Sequence, residues 1–391
     1  MRKLIFVLLM IGVSGLALAV NPPEATASPA SKAPAAAVAK TAGKAGPAAA
    51  ADWRPKWDTT IAEAKKEGSL VVYAGSIGEA GRALAQAFKD KFGITLELVQ
   101  GRGEEIVARI NSERKAGIYG VDVGLPGMSW YFNSIKPMAI TLPIQPLLIL
   151  PEVLDTSKWR EHRLPIGDKA GHLAVILLGA QPHLSMNSDV VKAGEITSLS
   201  DLLQPKWRGK IVMNDPSVGG AGSEVFTFTV REVMGLEKGT AFMKALAGQE
   251  PVIIRDLRLM TEWIARGRYP LGWGPDPAPT AEFIRSGAHL TIPTLKEPRA
   301  TTSATCNIMV LDKAPHPNAA RLFANWLLSK EGATVFSKSY GYPSTRLDVP
   351  TEGIDPGLLL GPNEVILGED YQLAKGEMRK LAADIFRSRI K

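Results

Sequence analysis

The sequence predicts an α/β protein with material for two lobes, each a mostly parallel sheet flanked by helices. Short apolar runs bounded by glycine alternate with amphipathic stretches from residue 53 onward, as strands and helices do in open sheets. The alternation comes in two series, one before residue 130 and one after residue 170. With 391 residues, the chain is long enough for more than one hydrophobic core.

Residues 1–19 are predicted to be a cleaved signal peptide, which implies a periplasmic protein. Arg2 and Lys3 precede the apolar run LIFVLLMIGVSGLALA, which ends in small residues. An uncleaved membrane anchor is the alternative, but the run is short for a bilayer span. Residues 20–51 consist almost entirely of Ala, Pro, Lys, Ser, Thr and Gly, and this composition predicts a disordered tether.

The net charge and the single cysteine limit the functional class of the protein and its compartment. The formal charge of +7 includes a surplus of two positive charges in residues 1–19 and two in residues 20–51, which leaves +3 for the rest. A nearly balanced globular part does not indicate nucleic-acid binding. Cys306 is the only cysteine, so no internal disulfide forms, which is compatible with a bacterial periplasm. We expect Cys306 to be a buried thiol rather than a nucleophile.

In the first series, helices and strands follow one another with short turns. The apolar periodicity and the glycine stops predict helices over 57–68, 78–93 and 104–117, and strands over 69–75, 94–100 and 121–127.

The second series has the same order. It predicts strands over 172–187, 209–215, 251–256, 269–274 and 300–311, and helices over 222–235, 239–248, 257–267 and a long region over 315–341.

Ligands of open α/β sheets bind outside the carboxyl ends of the strands. Six turns occupy such places: residues 74–79, 100–105, 124–130, 215–224, 254–258 and 273–277. The sequence contains none of the motifs H-E-x-x-H, G-x-S-x-G or G-x-x-x-x-G-K-[ST], and its five histidines show no metal-ligand spacing. We therefore predict neither an enzyme nor a resident cofactor or metal.

The turn NDPSVGGAGSE is the main candidate for a binding site. Its glycines precede an apolar helix, and free amides at a helix start attract anions. Gly220, Ala221 and Gly222 would present amides, and Ser223 would present a hydroxyl. The alternative is that Ser223 only caps the helix, and one serine can do both.

Four further residues are predicted to contact the ligand, and each has a structural alternative. Ser76 follows the first strand, where it either binds or caps. Arg102 lies between two glycines at a strand end, where it either binds a carboxylate or phosphate or remains a solvated surface residue. Arg255 opens a helix in a cleft turn. Trp273 directly follows the strand YPLG, which favours stacking on a ligand over core packing.

Several segments resemble bacterial extracellular solute-binding proteins of ABC importers, in the branch that includes ferric-iron, thiamine, phosphonate and sugar-phosphate binders. These segments are LVVYAGS, ELVQGRGEEIVARINSERKAG, GKIVMNDPSVGGAGSE, APHPNAARLFANWLLSKEG and GYPSTRLDV. The resemblance implies two lobes, a hinge crossed more than once and a cleft that closes on its ligand. Lobe 1 would comprise 53–165 plus 297–345, and lobe 2 would comprise 166–296 plus 346–391.

The resemblance also bears on the ligand, because the ferric binders of the branch use a histidine, a glutamate and two adjacent tyrosines. Ile77 or Gly78 stands at the histidine position, Gly127 or one of its neighbours at the glutamate position and Gly274-Pro275 at the tyrosine pair. Tyr340 and Tyr342 lie in another loop and do not restore the pair. The anion subsite that the branch shares falls on Gly220–Ser223. These matches favour an organic anion such as a phosphonate, a phosphate ester or a carboxylate.

The sequence thus predicts a monomeric periplasmic binding protein that delivers a small anionic ligand to an inner-membrane ABC permease. One alternative is a protein of the same fold that binds ferric iron or another metal–anion complex. A second alternative is a ligand sensor for a membrane histidine kinase.

Overall fold

The computed structural model describes residues 53–303, 306–361, 364 and 367–389. The predicted signal peptide and tether lie outside these residues. Within the described ranges, no helix combines the length and the apolar character needed to cross a bilayer.

The strands, in chain order, are β1 Ser69–Ala74, β2 Thr95–Gln100, β3 Val123–Leu125, β4 Thr141–Leu142, β5 Ala174–Val175, β6 Gly179–Gln181, β7 Leu184–Asn187, β8 Ile211–Asn214, β9 Val252–Ile254, β10 Leu271–Trp273, β11 Leu290–Thr291, β12 Ala300–Thr302 and β13 Asn307–Leu311.

The α-helices are α1 Trp53–Glu67, α2 Gly78–Phe92, α3 Gly103–Lys115, α4 Met128–Trp130, α5 Lys136–Met138, α6 Pro151–Leu154, α7 Ala221–Phe228, α8 Leu236–Gly248, α9 Leu257–Ala265, α10 Pro277–Arg285, α11 Pro317–Leu328, α12 Lys330–Tyr340 and α13 Glu369–Phe386. Short π-helical turns follow α4 and α7, over Tyr131–Ile135 and Thr229–Val233.

The first sheet has the strand order β2-β1-β3-β13-β4, and β5 also pairs with β13. β1 runs parallel to both β2 and β3, whereas β13 runs antiparallel to β3 and β4. The strands are apolar because helices cover the sheet. Phe88 of α2 packs on Phe323 and Trp326 of α11, with ring centroids 5.2 and 5.5 Å apart.

The second sheet repeats this arrangement in the order β9-β8-β10-β7-β11. β8 runs parallel to β9 and β10, and β7 is the antiparallel neighbour of β10. The α/β class is therefore confirmed, and the parallel pairing is confined to β1–β3 and β8–β10. The antiparallel strand β13 enters the first sheet from a distant part of the chain, whereas β7 directly precedes the other strands of the second sheet.

The segments that join the sheets explain why two long strands of the sequence prediction are divided. Residues 172–187 contain β5, β6 and β7, and residues 300–311 contain β12 and β13. β6 and β12 form a separate antiparallel ribbon, with Ala180 opposite Thr301. Each long run crosses from one sheet to the other, so it cannot remain in a single ladder. The predicted helix over 315–341 is likewise divided, because Ser329 is extended and caps α12.

The hydrophobic clusters show where the tail packs. Ile354 and Leu358 belong to the core of the first sheet, whereas Met378, Ala382 and Phe386 of α13 belong to the core of the second. The lobe limits predicted from the sequence remain a proposal. This packing favours assigning residues 346–359 to lobe 1 and α13 to lobe 2.

Candidate functional site

A cavity of about 240 Å³ lies where the turns after β3, β8 and β10 meet the ribbon of β6 and β12. Residues 127–130 follow β3, Gly220 and Ala221 follow β8, and Asp276 follows β10. Gln181 and residues 301–303 form the wall on the ribbon side. The carboxyl ends of strands from both sheets therefore face one cavity, as expected for a ligand site in an α/β protein.

The glycine-rich loop is shaped by close backbone packing. A Cβ at Gly222 would lie 2.3 Å from the carbonyl oxygen of Asn214, and the Gly222 amide donates to Asn214 Oδ1 at 2.8 Å. Gly220 has a φ of 138°, which L side chains rarely adopt. These two glycines let α7 begin directly against the end of β8. The amides of Gly220 and Ala221, which line the cavity, have no acceptor among the described residues.

Ser223 lies behind the cavity wall. Its hydroxyl is buried and donates to the carbonyl oxygen of Gly220 at 2.9 Å. In this structure the hydroxyl therefore closes the first turn of α7. Gly222 is also buried, so the cavity receives only the first two of the four predicted loop residues.

A buried ion pair joins the cavity to the C-terminal helix. Lys375 of α13 lies in the cavity wall, and its ammonium group pairs with Glu224 of α7. Tyr371 reinforces the contact by donating to the carbonyl oxygen of Glu224 at 2.9 Å. Burial lowers the pKa of Lys375, and the Glu224 carboxylate acts against that shift. No local pattern in the sequence indicates this wall, because Lys375 lies 151 positions from Glu224.

Three polar atoms of lining residues have no hydrogen-bond partner among the described residues. They are Nε1 of Trp130, Oγ of Ser303 and Oε1 of Gln372, and all three are buried. Since an unpaired buried polar atom is costly, these atoms mark where a solute would supply the missing partners. One of them can only donate, one can only accept and the hydroxyl can do both.

Tyr340 and Tyr342 also line the cavity, whereas the sequence analysis had placed them in a loop apart from the site. Gly341, with a φ of 73°, ends α12 and turns the chain back. Tyr342 then packs its ring on Gly179 of the β6 strand. Burial raises the pKa of Tyr342 well above its usual value, so its phenol is held neutral.

The turns after β1 and β2 do not contribute to the cavity lining. Ser76 is exposed, and the adjacent amides of Ile77 and Gly78 donate to Gln100 Oε1 at 2.8 and 3.0 Å. Arg102 has a side chain that is 80% exposed and pairs with Glu105 at 2.6 Å. A Cβ at Gly103 would lie 3.0 Å from the Trp130 ring, so that glycine permits packing of α3.

Arg255 and Trp273 also lie outside the lining. Arg255 pairs with the buried carboxylate of Asp215 at 3.0 Å and is otherwise exposed. Trp273 is fully buried in the core of the second sheet, with its ring centroid 6.2 Å from that of Phe242. Of the eight predicted contact residues, the structure thus brings Gly220 and Ala221 to the cavity.

Comparisons with known proteins agree with this architecture. Residues 168–343 match the family model described as bacterial extracellular solute-binding protein. Iron-bound HitA from Pseudomonas aeruginosa superposes with a TM-score of 0.65 at 18% identity, over 81% of this chain and 99% of that one.

A second similar structure is the periplasmic binding protein AfuA from Actinobacillus pleuropneumoniae with fructose-6-phosphate bound. It has a TM-score of 0.60 at 18% identity, over 83% of this chain and 98% of that one. At this identity the solved structures show the fold, and the similarity to bacterial extracellular solute-binding proteins covers residues 168–343. The chain has the two-lobed type II periplasmic binding fold of these structures.

Proposed function

We propose that this protein is the periplasmic component of an ABC importer and delivers a small anionic solute to an inner-membrane permease. The observation that carries the proposal is the cavity between the two sheets, with the unpaired amides of Gly220 and Ala221 at the start of α7. Amides at a helix start favour a negatively charged group. The cavity of about 240 Å³ is compatible with a small solute.

The polar groups around the cavity favour a solute that carries hydrogen-bond donors beside its anionic group. Lys375 compensates the carboxylate of Glu224, so that pair adds no net repulsion, and the helix-start amides are the groups that favour an anion. Oε1 of Gln372 has no donor among the described residues, so it matches a hydroxyl or amine hydrogen on the solute. We therefore propose a phosphonate, phosphate ester or carboxylate that bears at least one hydroxyl or amino group.

Binding of a bare ferric ion is less well supported. Among the described residues, no group of three or more His, Cys, Asp or Glu side chains could hold a metal ion. Tyr340 and Tyr342 line the cavity, but the raised pKa of Tyr342 opposes the phenolate form that iron prefers. The anionic solute therefore remains the better proposal.

A thermal-shift screen tests the proposal. The purified protein is heated with phosphonates, phosphate esters, hydroxycarboxylates, dicarboxylates, thiamine and Fe(III), and hits are confirmed by calorimetry. A cognate anion at one hundred times its Kd should stabilise the folded state by about 2.7 kcal/mol. A shift produced only by thiamine or by Fe(III) would contradict an anionic solute.

A matched pair of variants tests the location. Ala221→Phe places a ring in the cavity and should abolish the shift, whereas Ala116→Phe, at an exposed position after α3, should leave it intact. Binding that survives Ala221→Phe would place the solute elsewhere.

A further inference from the structure

A second chamber of about 110 Å³ lies beside the cleft. Its walls are largely apolar and include Leu164, Pro165, Ile166 and Val175. Three charged residues, Arg160, Glu161 and Arg163, also line the chamber. No contact described above accounts for a cation at this position.

Arg160 differs from the other arginines that are withdrawn from solvent. Its Nε is buried and has no hydrogen-bond partner, and its guanidinium forms no ion pair with any described residue. By contrast, Arg346 binds Asp348 and two carbonyl oxygens, and Arg299 binds Glu364 and two carbonyl oxygens. Burial lowers the pKa of Arg160, and the charge of the Glu364 carboxylate acts against that shift.

The carboxylates near Arg160 form their ion pairs with other arginines. Glu161 binds the neighbouring Arg163 at 2.6 Å, and Oε1 of Glu364 binds Arg299 at 2.6 Å. Glu364 acts on Arg160 through its charge alone, so the Arg160 guanidinium has no hydrogen-bonded carboxylate among the described residues and remains a cation without a direct partner. Such a charge in an apolar recess is unfavourable unless an anion enters.

The backbone beside Arg160 is strained. Glu161 and His162 have φ angles of 57° and 50°, a region that non-glycine residues seldom adopt. The segment is nevertheless anchored on both sides of the chamber, since the Arg160 amide donates to Thr345 at 3.1 Å and Val175 donates to Pro165 at 2.7 Å. Strain held by surrounding contacts is typical of ligand sites.

We propose that this chamber binds a carboxylate on a short apolar stem, with Arg160 holding the carboxylate. A guanidinium edge that includes Nε donates two parallel bonds and so satisfies both carboxylate oxygens. The apolar walls then cover the stem. A phosphate group would leave further charged oxygens against apolar walls, so it fits less well.

The chamber adjoins the cleft, because Met128, Leu178 and Leu367 line both cavities. The carboxylate therefore has two sources: a separate small molecule, or one end of a solute that also occupies the cleft. In both cases a carboxylate group pairs with the guanidinium of Arg160. The site goes beyond the proposed import function, since a separate occupant does not depend on it.

Calorimetric titration with butanoate, hexanoate and hexanamide tests the proposal. We expect hexanoate to bind, hexanamide not to bind, and Arg160→Gln to weaken hexanoate by at least about tenfold through loss of the charge-assisted bonds. Arg266→Gln should retain binding, because that exposed arginine lies outside the chamber lining and is paired with Glu262. Leu164→Trp, which fills the chamber and keeps Arg160, should abolish binding even if Arg160→Gln folds poorly.

The Ala221→Phe variant separates the two sources. If hexanoate still binds when the cleft is filled, the occupant is a separate molecule; if binding is lost, the carboxylate belongs to a solute that spans both cavities. Equal binding of hexanamide and hexanoate, unchanged binding by Arg160→Gln, or no binding of hexanoate by the wild-type protein would each overturn the proposal. None of these results affects the cleft screen, so the two proposals fail independently.

Discussion

His183 is a buried histidine whose two ring nitrogens have no hydrogen-bond partner among the described residues. Its ring lies against Phe228 and Trp273, with centroids 5.8 and 6.2 Å away. Burial lowers the pKa of His183 to about 4, and Arg299 adds to the shift. The folded protein therefore keeps this ring neutral at pH values where the unfolded chain protonates it.

This shift predicts a loss of stability in acid. Between pH 6.5 and pH 4 the unfolded chain binds the proton that the folded chain refuses, so stability falls as the pH falls. From pH 7 to pH 4.5 we expect His183 to account for roughly 2 kcal/mol of the decrease in the free energy of unfolding. Urea titrations at the two pH values measure it.

Two variants identify the source of the acid sensitivity. His183→Leu should reduce the difference between the two pH values by that amount. His289→Gln, at an exposed position, is the control for the replacement of a histidine outside the core. Equal pH dependence in the wild type and in His183→Leu would show that His183 is not responsible.

For the Glu224–Lys375 pair, we expect the removal of one charge to destabilise the protein more than the removal of both charges. Lys375→Gln leaves the Glu224 carboxylate in the cavity wall without its cation, and we expect a loss of roughly 2–3 kcal/mol of stability. The double variant Glu224→Gln, Lys375→Gln removes both charges and should recover most of the loss. Chemical denaturation of the two single variants and the double variant gives the coupling free energy.

The control for this pair is Lys380→Gln, an exposed lysine of the same helix. It should change stability by less than about 0.5 kcal/mol. If Lys375→Gln behaves like Lys380→Gln, the ion pair contributes nothing to the attachment of α13.

At the scale of elements, α13 attaches to the second sheet through one apolar face. Phe386 is fully buried near Phe226 of α7, whereas Leu373 on the same helix is 51% exposed. We expect Phe386→Ala to lower the free energy of unfolding by about 3 kcal/mol through the cavity it creates. Leu373→Ala should cost less than about 0.5 kcal/mol.

Circular dichroism of the two variants during thermal unfolding measures this difference. The Phe386→Ala variant should also weaken solute binding, because Lys375 and Gln372 reach the cleft from the same helix. Equal melting temperatures for Phe386→Ala and Leu373→Ala would refute a packing role for this face.

Elements with local signals were predictable from the sequence. β1, α2, β2 and α3 have clear apolar periodicity, and the structure places each within a few residues of its predicted limits. The division of the predicted strands over 172–187 and 300–311 was not predictable, because no local sequence pattern indicates where an apolar run leaves one ladder and joins another. Only pairing with distant residues, such as Ala180 with Thr301, fixes the division.

The residues of the candidate site also fall into two groups, those that a local sequence pattern indicates and those that only long-range packing brings to the cavity. The start of α7 could be located from its glycines, since close packing on Asn214 demands them. Lys375, Gln372 and Tyr342 reach the cavity through long-range packing, so their sequence neighbourhoods carry no sign of it. Arg102 and Arg255 were predicted to contact the ligand from their local sequence, but each pairs with a nearby carboxylate outside the cavity lining.

For the whole molecule, the two sheets are joined by thin connections. The β6–β12 ribbon has three paired residues on each strand, and the path to α13 forms a further link. The cavity that these connections border has walls from both sheets. A solute that touches both walls stabilises the arrangement in which they are close, so binding and closure are coupled.

We therefore predict that the solute identified in the thermal-shift screen makes the protein more compact. Small-angle scattering should show a smaller radius of gyration at saturation than in the solute-free protein. Ala221→Phe should show no change on addition of the same solute, because the ring occupies the space where the walls would meet it. Ala116→Phe should respond like the wild type. Calorimetric binding without any change in scattering would mean that the cleft holds its solute without lobe closure, and recognition would then depend on the preformed amides of Gly220 and Ala221.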